Sequence, residues 1–190
     1  MPIYTQTPPA DVSRALGTMR NLVHPKDDAL GGAVADIQRD PSAHNPHMIQ
    51  TFDLRDLVNS NDLPQPIDVG WRFLTTTTDG RKISAEIDAT TDGTVHNQLN
   101  QGPFIESTEQ VLENLQNEPL VQQGNYTFSV IKIPALYLMA VWLHDQIDQE
   151  DRLIPLPPNP DTLISGRLYN LRDFFDALRE LARQKLSSDI

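Results

Sequence analysis

The sequence predicts a mixed α+β domain: an antiparallel sheet covered on one face by helices, with an amphipathic helix near each end. Three observations predict it. Ile83, Ala85, Ile87 and Ala89 alternate with Lys82, Ser84, Glu86 and Asp88, the period of two that marks a half-buried strand. Tyr126, Phe128, Val130 and Lys132 alternate with Thr127, Ser129, Ile131 and Ile133 in the same way. Leu171, Phe174, Phe175, Leu178, Leu181 and Ala182 recur at helical spacing and form a wide apolar stripe.

From the N-terminus, residues 1–10 read as an extended arm, because Pro8 and Pro9 stop any helix there. Asp11 is an N-cap candidate. Val12, Ala15, Leu16, Met19 and Val23 then give a short helix one apolar stripe, and Pro25 ends it. Residues 1–25 are therefore expected to be an arm and docking helix, and residues 26–190 one globular domain. The stretch 24–47 is loop-rich, with a short helix near Ala33–Arg39. Residues 48–58 fit neither the helical nor the strand period.

The hairpin over 67–89 allows its register to be inferred. A two-residue Asp79-Gly80 loop would set Trp71 against Asp88 and Phe73 against Glu86, with charges on the apolar face. A three-residue loop, Thr78-Asp79-Gly80, pairs Trp71 with Ile87, Phe73 with Ala85 and Thr75 with Ile83. That register keeps one face apolar and places Gly80 in the left-handed region at a bulge. Thr-Thr-Asp-Gly recurs at 90–93, but the flanks differ, which makes it a second turn rather than a repeat. Residues 95–99 are a third strand candidate. Ser107 with Gln110 has the capping-box spacing for a helix running to Pro119.

The densest apolar run, Ile133–Leu143, is apolar on both faces, so periodicity does not separate helix from strand. Pro134 at a first helical position, followed by Ala, Leu and Met, favours helix. The run is too short for a membrane helix. Arg152–Leu156 is a short strand candidate before Pro157-Pro158, and Asn170 caps the C-terminal helix.

Composition bounds function. The net charge of −11 repels phosphate backbones and anionic lipid, so neither nucleic acid nor membrane is the expected partner. The absence of cysteine removes disulfides, thiolate nucleophiles and Cys-ligated metals, and fits a reducing cytoplasm. The N-terminus lacks the basic-then-apolar pattern of a signal peptide. No Gly-rich phosphate loop and no Gly-x-Ser-x-Gly is present.

Two constellations bear chemistry. His144 and Asp145, with Asp148, Glu150 and Asp151 nearby, supply the histidine and carboxylate of general-base catalysis; the bland alternative is an acidic loop leaving the core. His44 and His47 are candidate metal ligands three apart, opposed by Pro46 between them; the bland alternative is a solvated pair. No cofactor is expected. The leading expectation is a non-catalytic cytoplasmic assembly or adaptor component with a protein partner or a second copy of itself. A small His/Asp-based or metal-dependent hydrolase is the first alternative. A small-ligand-binding domain with a cavity between sheet and helix is the second.

Overall fold

The structure, a computed structural model, describes residues 3–59, 62–89, 95–148 and 150–188. Among these residues it is a mixed, mostly antiparallel sheet of nine strands flanked by six α-helices. The strands are β1 (Ile3–Tyr4), β2 (His47–Thr51), β3 (Ile67–Thr76), β4 (Lys82–Ala89), β5 (Val95–Asn100), β6 (Tyr126–Ile133), β7 (Leu138–Asp145), β8 (Arg152–Pro155) and β9 (Tyr169–Asn170). Their order is β5-β4-β3-β2-β6-β7-β8-β9, and β1 pairs with the start of β6. The pairings β1·β6 and β2·β6 are parallel and the rest antiparallel. The helices are α1 (Ala10–Leu16), α2 (Asp28–Arg39), α3 (Leu54–Asn59), α4 (Pro103–Leu115), α5 (Pro119–Gln123) and α6 (Leu171–Ser188).

The inferred hairpin register is present. Trp71 faces Ile87, Phe73 faces Ala85, Thr75 faces Ile83, and Gly80 has φ +86°. The turn is tied to α2 by Arg81, whose Nη2 and Nη1 donate to the two carboxylate oxygens of Asp27 at 2.7 and 3.0 Å. Asp27 in turn caps α2 by accepting from the Leu30 N–H at 3.0 Å. An added Cβ at Gly80 meets open space, so the cost of a substitution there is conformational only. Gly80→Val is expected to destabilise the fold by about 1–2 kcal/mol, measured by urea denaturation. An unchanged unfolding midpoint would exclude this turn. The second Thr-Thr-Asp-Gly lies outside the described residues.

The single covered face is not what the structure shows. Alternation along β6 sends Tyr126, Phe128 and Val130 to one face and Ile131 and Ile133 to the other. The first set packs with Leu74, Met139, Val141 and Leu143 beneath Ile105, Val111, Leu112 and Leu115 of α4 and Val121 of α5. The second set packs with Leu138, Ala140 and Trp142 beneath Phe174, Phe175, Leu178 and Ala182 of α6 and Leu57 of α3. On that second face, Trp71, Phe73, Ala85 and Ile87 meet Val12 and Leu16 of α1, Met19, and Val34 and Ile37 of α2. Helices thus cover both faces, and the residues of α1 share a core cluster with the sheet. Each fully buried Phe or Leu contributes roughly 1.5–3 kcal/mol.

Burial on both faces also explains the run Ile133–Leu143, which is strand rather than helix. A 3-10 turn at Pro134–Leu136 and a left-handed Tyr137 (φ +48°) close a tight connection, so that Ile133 pairs with Leu138. A strand sandwiched between two helical layers needs apolar side chains on both sides. Helix α4 begins at Pro103 after Gly102, not at Ser107. Ser107 and Thr108 lie inside it and donate to the Phe104 carbonyl at 3.3 and 2.6 Å. The ambiguous 48–58 stretch divides into β2 and α3. Asn170 does cap α6, its Oδ1 accepting from the Asp173 N–H at 2.8 Å. No helix among the described residues is long and apolar enough to cross a membrane.

Candidate functional site

The exit of β7 carries a hydrogen-bonded chain of Ser129, His144 and Asp151. Ser129 on β6 lies opposite Trp142, and His144 lies opposite Thr127, so Ser129 and His144 are diagonal neighbours on one face. Ser129 Oγ and His144 Nε2 are 2.8 Å apart, and His144 Nδ1 and Asp151 Oδ2 are 3.1 Å apart. Asp151 immediately precedes β8, whose pairing with β7 brings it beside His144. Its Oδ2 also accepts from Trp142 Nε1 at 2.8 Å, and its Oδ1 from the Asp145 N–H at 3.0 Å. Burial works against ionisation of Asp151, yet the donors from His144, Asp145 and Trp142 hold its carboxyl below the usual range.

The sequence pairing of His144 with Asp145 is corrected here. Consecutive strand residues point to opposite faces, and Asp145 Oδ1 instead accepts from the N–H groups of Ile147 and Asp148 at 2.9 and 3.3 Å. Asp151, present in the same acidic stretch, is the partner. Ser129 was visible only as a polar residue on a strand; its role depends on the neighbour that β7 supplies.

The arrangement has the connectivity of a catalytic triad, but not its access. Ser129 is 0% exposed. Its hydroxyl also lies 2.8 Å from Gln50 Oε1, while Gln50 Nε2 donates to Asp68 at 2.8 Å. Asp68 fixes the orientation of that amide, because the reversed amide would set its oxygen against a carboxylate. Gln50 Oε1 and His144 Nε2 therefore compete for the one Ser129 proton. The network links β2, β3, β6, β7 and the start of β8 across the middle of the sheet.

His44 and His47 each place Nδ1 against a backbone carbonyl. His47 is 0% exposed in β2, its ring 4.9 Å from that of Phe128, with Nδ1 donating to the Asn45 carbonyl at 2.6 Å. His44 contacts the Leu74 carbonyl through Nδ1 at 3.3 Å. Among the described residues no group of three or more His, Asp or Glu could hold a metal ion.

A second polar cluster lies on the opposite face and was missed in the sequence. Arg72 and Glu86 are directly opposite in the hairpin, and both are 1% exposed. Arg72 Nε and Nη2 donate to Glu86 Oε1 at 2.8 and 2.7 Å, and Lys132 Nζ donates to Glu86 Oε2 at 3.2 Å. Burial opposes the charge on Glu86, but Arg72 and Lys132 hold its carboxyl below its ordinary value. Arg72 Nη1 is buried and has no hydrogen-bond partner. These residues, with Gly102, Phe104, Ile105, Tyr137 and Met139, line a cavity of about 240 Å³ between the sheet and the start of α4. The signal was available: the register that aligns the apolar face also places Arg72 against Glu86. Compared with protein-family models, with curated proteins and with solved structures, the chain gives no match.

Proposed function

We propose that the protein works by binding, as a non-catalytic cytoplasmic component that associates with a protein partner or a second copy of itself. The observation that carries this reading is the sealing of Ser129. A serine nucleophile must reach its substrate and needs donors for the developing oxyanion. Ser129 sits in the middle of a paired strand, with no exposed surface and a hydroxyl shared between Gln50 and His144. Its hydrogen bonds are those of a clamp across the sheet. Exposed apolar side chains at Tyr137, Ile147 and Ile164 supply surface for contact.

The test is labelling with a fluorophosphonate, a probe for activated serines, read by mass spectrometry, together with light scattering of the eluting protein. The expected outcome is no adduct on Ser129 and a particle mass above that of one chain. Ser129→Ala, which leaves Gln50 Oε1 and His144 Nε2 without their shared hydroxyl, is expected to cost about 1–3 kcal/mol in urea denaturation. A stoichiometric Ser129 adduct, abolished in His144→Ala, would overturn the non-catalytic reading in favour of the hydrolase. A strictly monomeric particle would overturn self-association.

A further inference from the structure

We propose that the cavity between the sheet and the N-terminus of α4 binds a small organic monocarboxylate, held by Arg72 and Lys132. The first observation is the orphan donor. A guanidinium has five N–H donors. In Arg72 the Nε and Nη2 edge is committed to Glu86, while Nη1 is buried without a partner in a side chain that lines the cavity. A buried unmatched donor of this kind is uncommon in folded proteins and calls for an acceptor. The second observation is the helix. Gly102 and Pro103 begin a helix of thirteen residues with no side-chain cap, so the positive end of its dipole borders the same cavity.

Charge and shape specify the ligand. Arg72 and Lys132 bring two positive charges and Glu86 one negative charge, which leaves a surplus of one positive charge on the cavity wall. That matches a monoanion. A phosphate dianion would leave uncompensated negative charge in a chain that already carries −11. A carboxylate offers planar acceptors to a guanidinium and to an ammonium group. Asn100 and Gln101 add polar groups beside the helix start, and the remaining wall is apolar or aromatic: Met139, Ile105, and Phe104, whose ring lies 5.3 Å from that of Tyr137. Tyr137 is 63% exposed and held at φ +48°, a backbone state that a non-glycine residue adopts at a cost. It stands at the cavity as a flat surface for an apolar tail. This site does not depend on the reading of Ser129, and an adduct on Ser129 would leave it standing.

The test uses the full chain and follows the Met139 methyl and Ile105 methyl resonances during titration with acetate, benzoate, the neutral isostere benzamide, and inorganic phosphate. Benzoate is expected to shift both resonances saturably. Benzamide is expected to bind about tenfold or more weakly, the loss for a charge-assisted hydrogen bond. Lys132→Gln, at a half-exposed position that leaves the Arg72–Glu86 pair in place, is expected to weaken benzoate about tenfold and leave benzamide unchanged. The proposal is overturned if neither acetate nor benzoate moves these resonances, in which case an ordered water satisfies Nη1. It is also overturned if benzamide matches benzoate, or if phosphate binds more tightly than both carboxylates.

Discussion

Replacing Arg72 with Met is expected to destabilise the protein by about 3–5 kcal/mol, the range for breaking a buried ion pair from one side. The side chain lost is 1% exposed and lies directly across the hairpin from Glu86, which is 1% exposed itself. Glu86 Oε1 would lose both guanidinium donors and keep only the Ser84 hydroxyl at 3.3 Å, while Oε2 retains Lys132. A carboxylate in that position is then half-paired in a low-dielectric interior. The pair as a whole stabilises far less than its rupture costs, since both groups were desolvated to form it. The double variant Arg72→Met with Glu86→Leu is therefore expected to recover most of the loss and to lie within about 1 kcal/mol of the parent. Urea denaturation of the four proteins of this cycle measures it. A single variant costing under about 1 kcal/mol would show that the pair is solvated and that its burial is wrong.

The second large effect is a dependence on pH set by His47. Its Nδ1–H is committed to the Asn45 carbonyl, and its Nε2 is buried without a partner. Protonation would place an N–H where no acceptor waits, opposite Arg72 in the β2·β3 register. Burial first, and the Arg72 charge second, pull its pKa from 6.5 down to about 3. The folded value is depressed, so in the window between about 3 and 6.5 the unfolded chain binds the extra proton. The stability contribution is whole above pH 6.5 and is lost as pH falls toward 3. The slope is about 1.4 kcal/mol per pH unit once the unfolded histidine is charged, or roughly 2 kcal/mol between pH 6 and 4.5. Asp27, Asp79, Glu86 and Asp151 are all held below their ordinary values of 3.8 to 4.5, so their contributions fade below those values, beneath the range from pH 6.5 to 4.5 in which the histidine is tested. His47→Gln, which keeps a donor for Asn45 but does not titrate, is expected to flatten the slope between pH 6.5 and 4.5. Equal slopes in parent and variant would falsify the buried neutral imidazole.

The two sites differ in how much of them the sequence revealed. His144 stands out in the sequence as a histidine among carboxylates at the exit of the densest apolar run, and it sits in a hydrogen-bonded network. Its partners were not legible. Asp151 is reached through the β7·β8 pairing and Ser129 and Gln50 through β6 and β2, contacts between residues far apart in sequence. The Arg72–Glu86 pair is half legible: the register follows from the alternation, but whether the polar face of the hairpin is covered does not. It is buried beside α4, and a buried charged pair has the same alternating pattern as an exposed one.

Local chemistry determined what depends on near neighbours. The turn at Gly80, the pairing of Trp71 with Ile87, the strand at 126–133 and the cap at Asn170 each follow from side chains within one hairpin or one helical turn. The tertiary structure decided what depends on burial by distant elements. Residues 138–145 are strand because helical layers cover both faces of the sheet, a condition their own periodicity does not encode. Ser129 is a clamp rather than an exposed hydroxyl because neighbouring strands and their side chains close over it. Period two distinguishes the faces of a strand, but only the packed layers decide which of those faces meets water.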